Sequence, residues 1–486
     1  MKTFIKKIIL KIFSFANKDL SLKLDSLYNC FRDVKTEFLN QNEEALTRIR
    51  NQNEEALTRI SEIKTSFSQI QDTLNRLEAS QKTLETKQVI FEVQSHYKYI
   101  RSQIIEKISH GEKLRFGSYV VYDTTFGAHG IVDLMLKEPE RYDVKFVICP
   151  DTYRDMDGLK QYHKTKQFFI ERYGADRVLD GYDEKTGEFL DLSDSFDVVY
   201  MANPYDVLVN RVHGIRYLSG QNVLPIFICY GFTISKWLIN EFHSSLNEAL
   251  LYKNFVETKV SKMEISESQL FYQRNMVVSG YSKMDELFNI PQGSQSRKKI
   301  LIAPHHTVKG LPGELQYSNF LEYSDFILEL PDLFPDTDFI FRPHPLLFKN
   351  LAMHKIWSQE KIDQFLSQVN DKKIEYSKES DYLHLFKECD AIIHDCGSFS
   401  VEWLYTGKPC CYVVDSEDRV RKQFNRLGNV ALDCHTTIAD SKKEILKFIK
   451  KVENNEYPNI IDERVKNEIM INYPNCSEFI LNNLLK

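Results

Sequence analysis

Short apolar runs that stop abruptly at polar or glycine-containing turns recur along this chain, with helical spacing between them. Residues 119–122 run into a loop ending at Gly130, 146–149 into Pro150-Asp151, 197–201 into Asn203-Pro204-Tyr205-Asp206, and 223–229 into Tyr230-Gly231-Phe232. After a polar linker at 291–299 the pattern resumes at 300–304, 338–341, 372–376, 391–393 and 410–414. Strands alternating with helices pair as parallel sheets covered on both faces. The expected fold class is therefore α/β, with two doubly wound Rossmann-like units at 97–290 and 291–486, preceded by a long coiled-coil helix. In such sheets ligands collect beyond the carboxyl ends of the strands.

The first ninety-six residues read differently. Residues 1–18 are basic and apolar; Ile5, Ile8, Ile9, Ile12 and Phe13 share a broad helical face flanked by lysines. That composition fits either a helix lying on an anionic membrane surface or one packed on the protein's own body. The lysines leave the run too short to span a bilayer and break the apolar core a signal peptide needs. From Lys23 to Ser95 there is neither glycine nor proline, and Asn-Gln-Asn-Glu-Glu-Ala-Leu-Thr-Arg-Ile occurs twice, at 40–49 and 51–60, an exact repeat with a period of 11. Ile60, Ile63, Phe67, Ile70, Leu74 and Leu77 then follow the alternating three-and-four spacing of a coiled-coil seam. Region 19–96 is expected to be one long helix serving as spacer and as the joint of a homo-oligomer.

A net charge of −6 gives no argument for a nucleic-acid partner. The nine cysteines lack any Cys-x-x-Cys pair, which points to reduced thiols in a cytoplasmic protein and away from a disulfide framework or a zinc site. No acidic pair stands at a clear strand end, so neither a metal nor a cofactor is expected.

The polar residues at the strand ends are the candidate site. In 391–412 a buried strand feeds the turn Cys396-Gly397-Ser398 and then a helix from Phe399, a geometry that aims N–H groups and hydroxyls at one point. Asp395, Gly397, Ser398, Phe399, Ser400 and Glu402 are the donor-side candidates there, with Glu402 either accepting from ribose hydroxyls or simply solvated. Arg342 and His344, the latter pinned between Pro343 and Pro345, suit phosphate, and His306 joins them on the donor side. His344 could instead act as a base, as could His305, His306 and His129. In the first unit Gly127, Gly130 and Gly231 mark the acceptor side.

Four motifs in order carry a resemblance. Gly280-Tyr281-Ser282-Lys283-Met284-Asp285 keeps the Gly, Tyr and Asp of a Gly-Tyr-Pro-Arg-Asn-Asp turn, and Ala303-Pro304 the start of an Ala-Pro-Thr-Trp strand end. Arg342-Pro343-His344-Pro345 matches Arg-x-His-Pro in full, and Asp395 to Lys408 matches, in spacing, an Asp-Tyr-Ser-Ser stretch followed by Gly-Lys-Pro. Over roughly 222–449 the chain resembles the CDP-glycerol glycerophosphotransferases of teichoic-acid and capsule synthesis, which have the GT-B architecture. The resemblance implies an enzyme moving a polyol phosphate from a CDP-activated donor to a growing surface polymer or lipid-linked glycan, at the inner face of the cell membrane. Where the family has a catalytic histidine before glycine, this chain has Tyr230, a poor base at neutral pH. A GT-B glycosyltransferase using a nucleotide sugar, and a non-catalytic coiled-coil scaffold, are the competing expectations.

Overall fold

The computed structural model describes residues 20–37, 55–156, 158–238, 246–268, 274–291, 293, 296–311, 316–378 and 381–486. The expected helix at 1–18 and the first copy of the repeat lie outside them. The chain divides into two compact units, Met1–Phe91 and Glu92–Lys486. Residues 20–37 are helical, and a second helix covers Glu55–Ser109. The rings of Phe31 and Phe67 lie 4.8 Å apart. In one unbroken helix these residues would stand about 54 Å apart at 1.5 Å per residue. The expectation of one long helix over 19–96 is therefore corrected: the seam residue Phe67 packs against Phe31 of its own chain.

The unit from Glu92 onward holds two parallel sheets. The first contains β1 (Leu114–Val120), β2 (Tyr142–Ile148) and β3 (Val178–Asp180), then, after a small antiparallel hairpin of β4 (Tyr182–Asp183) and β5 (Glu188–Phe189), β6 (Val198–Met201), β7 (Leu224–Ile228), β8 (Lys253–Val256) and β9 (Met276–Val278). Its order is β3-β2-β1-β6-β7-β8-β9. The second sheet contains β10 (Lys298–Ala303), β11 (Thr337–Phe341), β12 (Glu375–Tyr376), β13 (Ala391–His394), β14 (Cys410–Val413) and β15 (Thr437–Ala439), in the order β12-β11-β10-β13-β14-β15. Both sheets run outward from their first strand, jump back over it, and continue on the other side. This is the doubly wound order, and its crevice opens where the direction reverses, between β1 and β6 and between β10 and β13. The two doubly wound units expected from the strand pattern are the ones observed.

Central strands are apolar on both faces because helices cover both. Phe116, Phe146, Phe169 and Tyr200 fill the first core, and Phe320, Phe341, Trp357 and Phe365 the second. Burying each such ring contributes about 2–3 kcal/mol. The short strands β3, β8, β9 and β15 escape notice in the sequence because three or four residues flanked by polar ones carry too little periodicity. The expected strand at 372–376 shortens to β12 at the sheet edge.

The chain's end departs from a simple division at residue 290. The last helix, Cys476–Asn483, returns to the first sheet, where Ile480 and Leu484 join its core. The turn after β9 holds this return in place. Gly280 has φ +80°, and a Cβ there would lie 2.0 Å from the Ile471 carbonyl oxygen. Asp285 accepts from the N–H groups of Cys476 (3.1 Å) and Ser477 (2.7 Å), satisfying donors that open a helix. Tyr281 donates its hydroxyl to the Tyr230 carbonyl (2.7 Å), and Ser282 donates to the Gly127 carbonyl (2.9 Å). One six-residue turn thus fixes two loops of the first crevice and the C-terminal helix.

Candidate functional site

The crevice of the second sheet gathers three histidines from two strand ends. His305 and His306 follow β10, and His344 follows β11, its N–H donating to the Pro304 carbonyl (2.9 Å) and so tying the two loops together. Ring centroids lie 4.3 Å apart for His305 and His306, 4.2 Å for His306 and His344, and 5.2 Å for His305 and His344. Arg342, at the end of β11, is buried, with its guanidinium stacked over Tyr382 (4.9 Å) and Phe399 (5.7 Å). Burial lowers its pKa while Tyr382, Cys396, Glu402 and Asp381 oppose that shift.

Hydrogen bonds decide what these rings present. The Leu346 N–H donates to His344 Nδ1 (3.1 Å). A neutral imidazole accepting at Nδ1 carries its proton on Nε2, so His344 offers the cluster a donor. His305 Nδ1 accepts from the Thr307 N–H (3.3 Å), beside the Thr307 hydroxyl at 2.9 Å. Among the described residues His306 Nδ1 meets only the Asn350 side-chain amide (3.0 Å), which can serve as donor or, turned over, as acceptor. His306 is therefore the ring whose tautomer no backbone group fixes.

The three rings also bring ligand-type nitrogens within 4.8 Å of one another, a grouping that could enclose a cation. Spacing along the sequence cannot reveal this, because the ligands come from different strands. A metal at His344 Nε2 would need the proton moved to Nδ1, against the Leu346 N–H already pointing there. The donor set fits an anion better than a metal ion.

Burial holds these rings neutral. It lowers the pKa of His306 to about 4 and of His344 to about 3, and takes His305 well below the usual range. His129 falls to about 3 and His435 to about 4, and His394 well below normal, all chiefly through burial. An unfolded chain takes up protons on these groups below about pH 6.5, whereas the folded chain refuses them until lower pH. Stability is therefore expected to fall as pH drops from about 6.5 toward 4, by up to ~1.4 kcal/mol per pH unit for each ring. Urea unfolding at pH 7 and pH 5 checks this; equal stabilities would contradict it.

The turn after β13 is held from within. Asp395 is buried and accepts from the backbone N–H groups of His305 (2.7 Å) and Asn319 (2.7 Å), while burial raises its pKa to about 7. Ser400 is fully buried and donates to the Gly397 carbonyl (2.6 Å). The geometry thus corrects both donor-side expectations: these two residues brace the turn. Ser398 donates to Glu402, Tyr382 donates to the other oxygen of the same carboxylate, and the Phe232 N–H donates to the Ser398 hydroxyl (3.1 Å). Glu402 is accordingly buried, not solvated, and Ser398 joins the two halves. The N–H groups of Gly397, Ser398 and Phe399 have no backbone acceptor among the described residues and remain as the turn's donors. Behind the turn, the Cys396 N–H donates to His394 Nδ1 (3.3 Å), His394 Nε2 meets His435 Nε2 (3.1 Å), and His435 Nδ1 donates to the Ala431 carbonyl (2.8 Å). The sequence reading missed this buried pair.

In the first half, the expected site residues separate. Gly127 is buried, and a Cβ there would meet the Cys229 carbonyl oxygen at 2.8 Å. Gly130 sits against Ser477 of the last helix, where a Cβ would come within 2.5 Å of the hydroxyl. A side chain at either position would collide with its neighbours. Gly231 lies where a Cβ would come 3.5 Å from the Ser398 hydroxyl, so it marks the meeting of the halves. His129 bonds through Nδ1 to the Tyr173 hydroxyl (2.6 Å) and packs among Phe126, Phe168 and Phe169. The Tyr230 hydroxyl shares a hydrogen bond with that of Tyr205 (3.0 Å), and burial raises its pKa. A tyrosine so placed is a donor, not a base, at neutral pH.

Two residues of this cleft were not singled out in the sequence. Tyr382 carries Arg342 on its ring and Glu402 on its hydroxyl, and Lys283 brings its ammonium nitrogen 3.9 Å from the centre of the same ring. Lys283 stands at the arginine position of the Gly-Tyr-Pro-Arg-Asn-Asp turn that residues 280–285 resemble, which was the signal available in the sequence.

No protein-family model matches the chain, and no curated protein matches it in sequence. Among solved structures, a putative UDP-N-acetylglucosamine 2-epimerase from Listeria monocytogenes aligns at 14% identity over 77% of this chain and 96% of its own, with TM-score 0.49. The UDP-GlcNAc 2-epimerase from Neisseria meningitidis, bound to UDP-GlcNAc, aligns at 17% identity over 77% and 100%, with TM-score 0.48. The wall teichoic acid polymerase TagF aligns at 14% identity over 85% and 97%, also with TM-score 0.48. Among the described residues, no helix is long and apolar enough to cross a membrane.

Proposed function

We propose that this protein transfers a polyol phosphate, of the glycerol-phosphate kind, from a CDP-activated donor to a growing cell-surface polymer. The observation that carries the reading is the donor array at the β10/β13 crevice: His344 with its proton on Nε2, His305 and His306 beside it, and Arg342 from the same loop. Such an array suits a diphosphate, whose oxygens accept hydrogen bonds and repel one another without cationic or N–H neighbours. The matched Arg-x-His-Pro and Gly-Lys-Pro motifs support the CDP-polyol donor.

In the proposed step an acceptor hydroxyl oxygen bonds to the distal phosphorus of the donor. The bond from that phosphorus to the bridging oxygen breaks, CMP leaves with the electron pair, and the hydroxyl proton passes to a base. His306 is assigned that proton, since its tautomer is not fixed by the backbone. Little base strength is required in a loose phosphoryl transfer, where positioning and charge stabilisation dominate. The N–H groups of Gly397, Ser398 and Phe399 add donors toward the nucleotide phosphate. The first half binds the acceptor beside Tyr230 and Gly231. Residues 1–18 hold the enzyme at the anionic inner membrane surface, and the helical segment after them joins protomers.

The test is full-length protein with CDP-glycerol, CDP-ribitol and a panel of UDP-, GDP- and CMP-sugars, with an acceptor-rich membrane extract. CMP release from a CDP-polyol is expected. UDP or GDP release from a sugar donor would overturn the reading in favour of glycosyl transfer, and no release from any donor would favour a scaffold.

A further inference from the structure

Lys283 opens the helix Lys283–Asn289, directly after the glycine turn that fixes the first half's loops. Tyr382 immediately precedes the helix Leu383–Glu388 of the second half, and the two helices pack together. Lys283 Nζ and the Arg342 guanidinium thus reach one aromatic ring from opposite halves, at 3.9 and 4.9 Å from its centre. A ring face attracts one cation by roughly 0.5–2 kcal/mol, which does little for two that repel each other. Glu402, Glu286 and Asp381 act on Lys283 electrostatically, yet none forms an ion pair with it among the described residues. Glu402 instead takes both its hydrogen bonds from the hydroxyls of Tyr382 and Ser398. Lys283 is half-buried, and burial lowers its pKa.

We propose that Lys283 is a phosphate-recognition residue supplied by the first half, which with Arg342 holds the phosphoryl group being transferred. This deepens, and rests on, the polyol-phosphate reading above. Phosphoryl transfer spreads negative charge over the equatorial oxygens, which a second cation stabilises.

Inorganic pyrophosphate is the probe. Its affinity for the full-length protein, measured by calorimetry, is expected to fall about tenfold in Lys283→Gln, the worth of one charge-assisted hydrogen bond, and to be retained in Lys283→Arg. Lys283→Met, which keeps the apolar stem over Tyr382, guards against loss of fold: its thermal midpoint should match wild type while pyrophosphate raises it less. Unchanged pyrophosphate affinity in Lys283→Gln, with a wild-type enzyme that turns over a CDP-polyol, would overturn the role of Lys283 alone. A wild-type protein inert with every CDP-polyol, whose pyrophosphate binding still depends on Lys283, would overturn the donor reading and leave the phosphate site standing.

Discussion

Replacing His344 with alanine is expected to lower CMP release from a CDP-polyol by about a hundred- to a thousandfold, the effect of removing one preorganised donor from developing charge. The backbone makes the argument. Pro343 and Pro345 restrict the loop, the His344 N–H is tied to the Pro304 carbonyl, and the Leu346 N–H fixes the ring's proton on Nε2. Nothing has to reorganise when charge develops in front of that donor. The loss should appear mainly in kcat, because a diphosphate keeps Arg342 and the other two rings in the ground state. His344→Gln, whose amide can still donate, should lose less. Steady-state rates measure both, and an alanine variant within about threefold of wild type would remove His344 from the mechanism.

Replacing Gly280 with alanine is expected to cost about 3 kcal/mol or more of stability. At φ +80° a side chain pays about 1–2 kcal/mol in backbone strain alone. The new Cβ would also stand 2.0 Å from the Ile471 carbonyl oxygen and 2.6 Å from the Cys476 sulfur, so the C-terminal return must move. That movement pulls on Asp285, which holds the N–H groups of Cys476 and Ser477, and on Tyr281, which supports the Tyr230 turn. Activity should fall with stability, since Lys283 rides on the same turn. The urea midpoint reports the first effect, and an unchanged midpoint would contradict it.

Much of the architecture is legible in the sequence, and the reason is physical. Central parallel strands are buried on both faces, so Ile300, Leu301 and Ile302, or Ala391, Ile392 and Ile393, stand out as uninterrupted apolar runs. The polar residues at their carboxyl ends mark the crevice, but sequence does not show which way each one points. Asp395 and Ser400 occupy the right turn and face inward, where backbone groups need them. Gly127 and Gly130 are required by neighbouring backbone and side chains, which the sequence does not show. The histidine cluster is hidden because His344 lies 38 residues beyond His306 and is brought back by the pairing of β10 with β11. Lys283 is hidden for a related reason: its partner ring belongs to the other half of the chain. The heptad seam was legible as a need for packing, though Phe31 of the same chain meets Phe67.

The most direct measurement is the fate of phosphorus in CDP-glycerol labelled at the phosphate next to glycerol. Full-length protein is incubated with this donor and acceptor-rich membranes, and label is counted in nucleotide and polymer. The account predicts label in the polymer, equimolar unlabelled CMP in solution, and loss of both in the His344→Ala variant. Label remaining with the nucleotide while a sugar donor is consumed in its place would contradict it.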